Sequence, residues 1–262
     1  MAHDNRSLVR TTETSLDVVE VLLDNDSATV DELRAELDLT SSTIYRHLAT
    51  LRDRGYVLKD GDSYRLSLKF LTVGGFLRRK IPGYSMIKTE VDNIAEVTGE
   101  RAQFIVREAG DRVYLYTETG ENPVQTGART GSRGPIYSSA AGKAIMANLP
   151  PKQRDDLLDA LQLRKTGPNT ITDRDELREN LAEIRDRGYA LNFEESTSGV
   201  HAIGAVVEVG SELIGALSVS GPATRLKRSR LEDELVDPVR AASNELELHI
   251  EHTTSSTVDR VY

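Results

Sequence analysis

Cysteine is absent from the 262 residues. That excludes disulfides, thiol nucleophiles and cysteine-ligated metal. No apolar stretch approaches the roughly eighteen residues a membrane span needs. The first residues, Met-Ala-His-Asp-Asn-Arg-Ser, lack the apolar core of a signal peptide. A cytoplasmic protein with no membrane partner is expected. Internal repeats and low-complexity tracts are missing too. Positive charge is in deficit: 33 Lys and Arg stand against 42 Asp and Glu, a net charge of −9. What is present is ordinary for a globular chain, 38% hydrophobic and 29% charged, with length enough for two domains.

The deficit is uneven. Residues 1–39 carry three Arg against ten acids, whereas residues 40–80 carry nine Arg and Lys against three, a net of about +6. A basic stretch inside an acidic chain is the footprint a phosphate backbone requires. The plainer reading is a chance cluster on a solvated face. Acid richness, Arg in preference to Lys, and the missing cysteine suit a salt-rich cytoplasm.

The basic stretch overlaps a structured pattern from Thr29 to Leu66. Thr29 caps a short helix, with Glu32 closing a capping box. Leu33 and Leu37 share one face of it. Asp38-Leu39 turns the chain, and Thr40 caps a second helix whose buried stripe is Ile44, Leu48 and Leu51. Gly55 ends that helix. Strand-like runs Tyr56 to Lys59 and Ser63 to Leu66 then join through Asp60-Gly61, a hairpin signal. Residues 1–66 therefore read as a winged helix-turn-helix, whose second helix enters a DNA major groove. Ser41, Ser42, Thr43, Tyr45 and Arg46 are expected to face that groove, and Arg52, Lys59 and Arg65 to hold phosphate. Residues 1–15 are polar and read as a loose terminus. A first helix is expected from Ser15 to Asn25, with Leu16, Val19, Leu22 and Leu23 as its stripe.

Beyond the wing, Ser67 to Lys80 is too apolar for a free tether and reads as a linker helix (67–82), with Gly74-Gly75 permitting a bend. Ile81-Pro82-Gly83 marks a boundary. The pattern then becomes mixed. Ile87, Val91, Ile94 and Ala95 line one helical face, ended by Gly99. Strands Ala102 to Arg107 and Arg112 to Thr119 pair across Gly110-Asp111. Gly127 to Pro135 is a Gly-rich loop, read as a pocket lid. Helices follow at Ala140 to Asn148, at Lys152 to Leu161, and up to Arg187 with Thr172 as cap. Strands start at Tyr189, at Ala202 and at Glu212, and a long helix runs from Leu231 to His249. Strands flanked by helices at both ends make an α+β domain, here 83–255, with 256–262 as a tail.

Three segments carry a family resemblance. Pro-Ile-Tyr-Ser-Ser-Ala-Ala-Gly-Lys-Ala-Ile-Met-Ala (135–147), Arg-Gly-Tyr-Ala-Leu-Asn-Phe-Glu-Glu-Ser-Thr-Ser-Gly-Val-His-Ala-Ile-Gly-Ala (187–205) and Ala-Leu-Ser-Val-Ser-Gly-Pro-Ala-Thr-Arg-Leu (216–226) resemble motifs of IclR-type transcriptional regulators, in that family's order. The resemblance implies a GAF-like effector-binding domain and a homodimer or homotetramer on a palindromic double-stranded DNA operator. It also implies a small-molecule effector: an organic acid, a sugar-derived or an aromatic metabolite. It places the effector against Ala140 and Ala141, whose amides open a helix, and against Asn192, Ala202, Ser218 and Ser220. Asn192 and Ala202 stand where relatives carry Asp or Cys, which implies a less acidic and less polar pocket. Read without the motif, Ser218 and Ser220 are simply one face of a strand.

Enzyme chemistry finds little footing. Gly142-Lys143 lacks the remainder of a phosphate loop, since Tyr137 stands where its first Gly belongs and Ala144 where its Ser or Thr belongs. Glu194 and Glu195 are adjacent and, on a strand, would point apart. No elbow-type serine motif occurs. His249 and His252 are close in sequence, but no third ligand is evident, so neither metal nor cofactor is expected. The competing reading is a metabolite-binding enzyme with an accessory winged helix; another is a winged helix used for protein contacts.

Overall fold

The computed structural model describes residues 8–121 and 128–258. The expectations for residues 1–7, for Gly127 and for the end of the tail (259–262) lie outside them. The chain divides after Ile81 into two compact units.

The N-terminal unit comprises α1 (Arg10–Asp24), β1 (Ala28–Thr29), α2 (Val30–Leu37), α3 (Ser41–Asp53), β2 (Val57–Asp60), β3 (Ser63–Leu66) and α4 (Lys69–Lys80). Local chemistry explains its joints. Thr29 and Glu32 form the reciprocal capping box, with the Thr29 amide donating to the Glu32 carboxylate at 2.7 Å. Asp38 takes the left-handed turn after α2 (φ 49°). The Thr40 hydroxyl accepts from the Thr43 amide at the start of α3. The wing pairs β2 with β3 in antiparallel register, Val57 opposite Leu66 and Asp60 opposite Ser63. Its turn is thus Gly61-Asp62, one residue later than the sequence suggested, because Asp60 pairs with Ser63. Ala28 and Thr29 add a short third strand against β3. The core gathers Val18, Val21, Leu22, Leu33, Ile44, Leu48, Val57 and Tyr64.

Two expectations for this unit change. Helix α1 starts at Arg10, not Ser15, because nothing between them breaks a helix, and the Thr14 and Ser15 hydroxyls bond back to the Arg10 and Thr11 carbonyls. Its buried face is Val18, Val21 and Leu22, while Leu16 and Leu23 remain exposed. The linker helix α4 runs unbroken through Gly74-Gly75 and buries none of its residues.

The C-terminal unit holds α5 (Tyr84–Thr98), β4 (Arg101–Glu108), β5 (Asp111–Thr119), β6 (Arg133–Pro135), a 3-10 turn (Ile136–Ser138), α6 (Ala140–Asn148), α7 (Pro151–Ala160) and α8 (Arg174–Arg187). It continues with β7 (Ala190–Phe193), β8 (Val200–Val209), β9 (Glu212–Pro222), one turn α9 (Arg228–Arg230), a π-helical turn (Leu231–Leu235) and α10 (Val236–Val258). Six antiparallel strands run in the order β6-β5-β4-β9-β8-β7. Helices α5 and α10 pack on one face and α6 on the other, with α8 against α6. Ile87, Val91, Ile94 and Ala95 are the buried face of α5, as the spacing required.

Several boundaries move for physical reasons. The Gly-rich loop contributes an edge strand, β6, so it is not a free lid. The β4–β5 turn is Ala109-Gly110, both at positive φ, with Asp111 already paired to Glu108. Asp173, not Thr172, caps α8, and its carboxylate accepts from the Asp175 and Glu176 amides at 2.9 Å, a charge favoured at a helix start. The last helix begins at Arg228 and passes through a π turn. Pro238 lies just after that turn; it has no N–H to give, and its ring crowds the carbonyl four residues back. Helix α10 continues to Val258, beyond the expected boundary at 255. No described helix is long and apolar enough to cross a membrane.

Candidate functional site

The first candidate surface is α3 with its wing. Ile44 and Leu48 turn inward, leaving Ser42, Tyr45, Arg46 and Arg52 exposed. Tyr45, a large side chain, is 53% exposed without burying its ring. Ser41 and Thr43 are half-buried. The Thr40 hydroxyl stands 2.9 Å from that of Thr43 and 3.1 Å from that of Ser42, so these hydroxyls share their bonding with the cap. His47 anchors the back of α3, its Nδ1 2.8 Å from the Ser15 hydroxyl on α1.

The wing places its cations on opposite faces. Lys59 lies opposite Tyr64, whose ring is 5.7 Å from its ammonium, whereas Arg65 lies opposite Leu58. They cannot grip one phosphate together. Other positive charges of residues 40–80 do separate work. Lys69 donates to the Arg54 carbonyl at the end of α3 and sits over the Tyr56 ring at 4.5 Å. Arg78, Arg79 and Lys80 occupy the last turn of α4, where the helix dipole favours cations. The excess left on α3 and the wing is therefore about +2, from Arg46, Arg52, Arg54, Lys59 and Arg65 against Asp53, Asp60 and Asp62.

The second candidate site is a cavity of about 70 Å³ on the α6 side of the large sheet. Of the residues the sequence nominated, Ala140, Asn192, Ala202, Ser218 and Ser220 line it. Ala141 does not; it packs on Gly204 of β8, where an added Cβ would fall 2.8 Å from the Ala141 nitrogen. That glycine lets α6 settle onto the sheet. Ser139 caps α6, its hydroxyl accepting from the Gly142 amide at 3.1 Å. The earlier amides of the turn are left without intrahelical partners.

Ser218 and Ser220 are not a surface face: they are 2% and 7% exposed. Gln103 bridges them, its amide nitrogen 3.2 Å from each hydroxyl. The Ser218 hydroxyl also donates to the Ile203 carbonyl at 2.7 Å. Asn192 spends both ends of its amide on the protein. It donates to the Ser138 carbonyl at 2.6 Å and accepts from the Glu195 amide at 3.2 Å. It is a strut between β7 and the start of α6.

Two arginines that nothing local in the sequence marks complete the lining. Arg101 of β4 and Arg112 of β5 both line the cavity, so the pocket is basic, not merely less polar. Their guanidiniums lie 5.7 and 5.8 Å from the Tyr114 ring. Arg101 is 4% exposed, and burial pushes its pKa below the ordinary value. It donates to the Thr117 hydroxyl at 3.0 Å and to the Ala128 carbonyl. Arg112 donates to the Pro135 carbonyl at 2.6 Å and the Ser138 hydroxyl at 3.2 Å. It lies flat across Gly134 of β6, where a Cβ would come within 2.9 Å of the guanidinium carbon.

A β-bulge explains why Arg112 reaches this face. The β4–β5 register pairs Phe104 with Tyr116 and Ile105 with Tyr114, so Leu115 is an extra residue. Simple alternation groups Thr117 with Leu115 and Val113. The bulge re-aims β5 so that Tyr114 and Arg112 join Thr117 instead.

Behind the cavity lies a buried ion pair. Lys143 of α6 donates to Glu195 at 2.6 Å, with side chains 2% and 8% exposed. Burial lowers the Lys143 pKa and raises that of Glu195. The second Glu195 oxygen has no hydrogen-bond partner. Glu194 and Glu195 lie in the turn after β7 rather than on a strand, and Glu194 accepts from the Gly199 amide. That same turn supplies Ser196 and Thr197 to the cavity. Among the described residues, no three His, Asp or Glu side chains gather as a metal set.

Both units match known families. Residues 84–248 match the family described as bacterial transcriptional regulator IclR C-terminal. Residues 12–59 match the helix-turn-helix family described as bacterial regulatory protein, arsR family. The chain is 34% identical to the probable HTH-type transcriptional regulator ArcR of Halobacterium salinarum, over 90% of this chain and 92% of that protein. It is similar in fold to the crystal structure of Thermotoga maritima IclR, with a TM-score of 0.80 at 25% identity over 93% of this chain and all of the other. An IclR homologue from Microbacterium hydrocarbonoxydans, complexed with 4-hydroxybenzoate, matches with a TM-score of 0.70 at 21% identity, covering 91% and 99%.

Proposed function

The chain belongs to the IclR family of transcriptional regulators, of the type seen in haloarchaea, and from that premise we propose how its two units divide the work. It is a transcription regulator with a helix-turn-helix DNA-binding unit and a C-terminal ligand-binding unit. In our reading α3 enters the major groove of a palindromic operator. Ser42, Tyr45 and Arg46 make the forward contacts, with Ser41 and Thr43 at the groove's edge. Arg52, Lys59 and Arg65 hold phosphate, each in its own place. The observation that carries this is a capped α3 whose first two turns bury only Ile44.

One helix reads only a few base pairs, so specificity calls for a dimer. The surfaces that support one are α1 and α4. Leu16 and Leu23 recur seven residues apart at 57% and 46% exposure. On and beside α4, Leu68, Leu71, Val73, Phe76 and Leu77 are all at least half exposed. A helix that buries nothing yet carries four such side chains, with Leu68 beside it, is made to be covered. Light scattering at micromolar concentration should give a dimer or a dimer of dimers; a monomer would contradict this.

The cavity is the receptor for a small organic acid. Ala140 offers a helix-start amide, Ser218 and Ser220 offer hydroxyls fixed by Gln103, and Asn192 and Ala202 set the wall. We read no catalytic role for these residues. The acid acts by binding two states of the regulator unequally. The test is filter binding of genomic fragments to the full-length protein, repeated with the acid present. Retention of specific fragments that the acid alters supports the reading. Indiscriminate or absent retention overturns it.

A further inference from the structure

The cavity carries more information about its ligand than the family motifs do. Two guanidiniums line it, and no Asp or Glu is among the lining residues. The Arg112 Nε is buried without a hydrogen-bond partner, while Nη1 is anchored on the Pro135 carbonyl and the Ser138 hydroxyl. A planar guanidinium is built for a carboxylate. Gly134 and the β5 bulge both serve to lay Arg112 in this place. The opposite attraction for an anion is the start of α6, where Ala140 lines the cavity beyond the Ser139 cap.

Size narrows the choice. A water needs roughly 10–15 Å³ of such space, so about 70 Å³ holds about six heavy atoms. A single carboxylate on the Arg101–Arg112 side would leave the α6 start beside Ala140 without an anion.

The geometry points to a dicarboxylate of two or three carbons as the ligand, one carboxylate on the Arg101–Arg112 side and the other at the α6 start beside Ala140. This rests on the reading of the C-terminal unit as an effector receptor. Tyr114, in contact with both guanidiniums, keeps them on one side of the ligand. The hydroxyls of Ser218 and Ser220 face the short carbon chain and any oxygen it bears.

Calorimetry on the full-length protein, at fixed ionic strength, tests this with isosteric pairs. Oxalate is set against oxamate and malonate against its half-amide, so that one charge changes and shape does not. At least one diacid should bind tenfold or more tightly than its half-amide. Arg112→Gln should bring that ratio close to one. Should the variant fail to fold, the wild-type ratio still decides. Half-amides or simple monoacids that bind as well as the diacids overturn the inference and leave the effector reading standing. No binding of any diacid, half-amide or monoacid overturns the inference and the acid-receptor reading together.

Discussion

The two units keep their polar groups in opposite places. Every buried polar or charged side chain among the described residues lies between Glu100 and Ser243, in the C-terminal unit. The N-terminal unit has an apolar core and wears its charge outside. One presents chemistry on a helix surface to a partner as large as DNA. The other encloses chemistry in a cavity of about 70 Å³. A surface reader needs only a firm scaffold, so local caps and turns suffice. An interior reader must bury charge, and must then satisfy each buried group through contacts distant in sequence. Glu100 shows the cost: at 1% exposure it is held by Arg225 and Arg230, more than a hundred residues away.

The sharpest way to break the contrast is at Lys143. Lys143→Met leaves Glu195 buried without its cation and should destabilise the C-terminal unit by about 3–5 kcal/mol. The pH dependence has a definite sign. Burial already raises the Glu195 pKa, and without the lysine it rises further. A carboxyl whose folded pKa is raised stabilises the fold at low pH and loses that contribution as pH climbs through its folded pKa. Melting curves should therefore show the variant's deficit growing from acid to alkaline pH. A deficit independent of pH would remove Glu195 from the account.

A smaller effect is expected at Asn192. Asn192→Asp sets an oxygen against the Ser138 carbonyl, where the amide now donates at 2.6 Å. Thermal denaturation should register a loss of about 1–3 kcal/mol. Wild-type stability would mean that the strut between β7 and α6 is not needed.

In the other unit, Arg46→Ala should cost operator binding about 1–3 kcal/mol if the side chain reads a base, with the melting temperature unmoved because the residue is exposed. Unchanged affinity would take Arg46 out of the interface. Least of all, Thr40→Ala removes the α3 cap and should cost about 1 kcal/mol of stability. Urea unfolding of the wild type and variant would measure it, and a change within error would show the cap to be idle.

The same contrast governs what could be read from the chain alone. Thr29 with Glu32, Thr40, and the stripe Ile87, Val91, Ile94 and Ala95 are signals written within a few residues, and they were legible. Ser218 and Ser220 announced a shared face by their spacing, although not their burial. Arg112 was illegible for a specific reason. Alternation along β5 assigns it to the wrong face, and only the bulge at Leu115 corrects it. Lys143 and Glu195 are 52 residues apart, and nothing local to either tells of the other. The basic stretch was legible as charge, though not which of its cations sit at helix ends. Lys69, Arg78, Arg79 and Lys80 answer helix ends, which a count of charges cannot see.

In the proposed function, a small acid in one unit governs DNA binding by the other. Fluorescence anisotropy on a retained operator fragment, titrated with full-length protein with and without saturating acid, tests it most directly. DNA affinity should shift by about 5- to 150-fold, and acid affinity by an equal factor when operator is present. Superimposable DNA curves with the cavity demonstrably filled would contradict it.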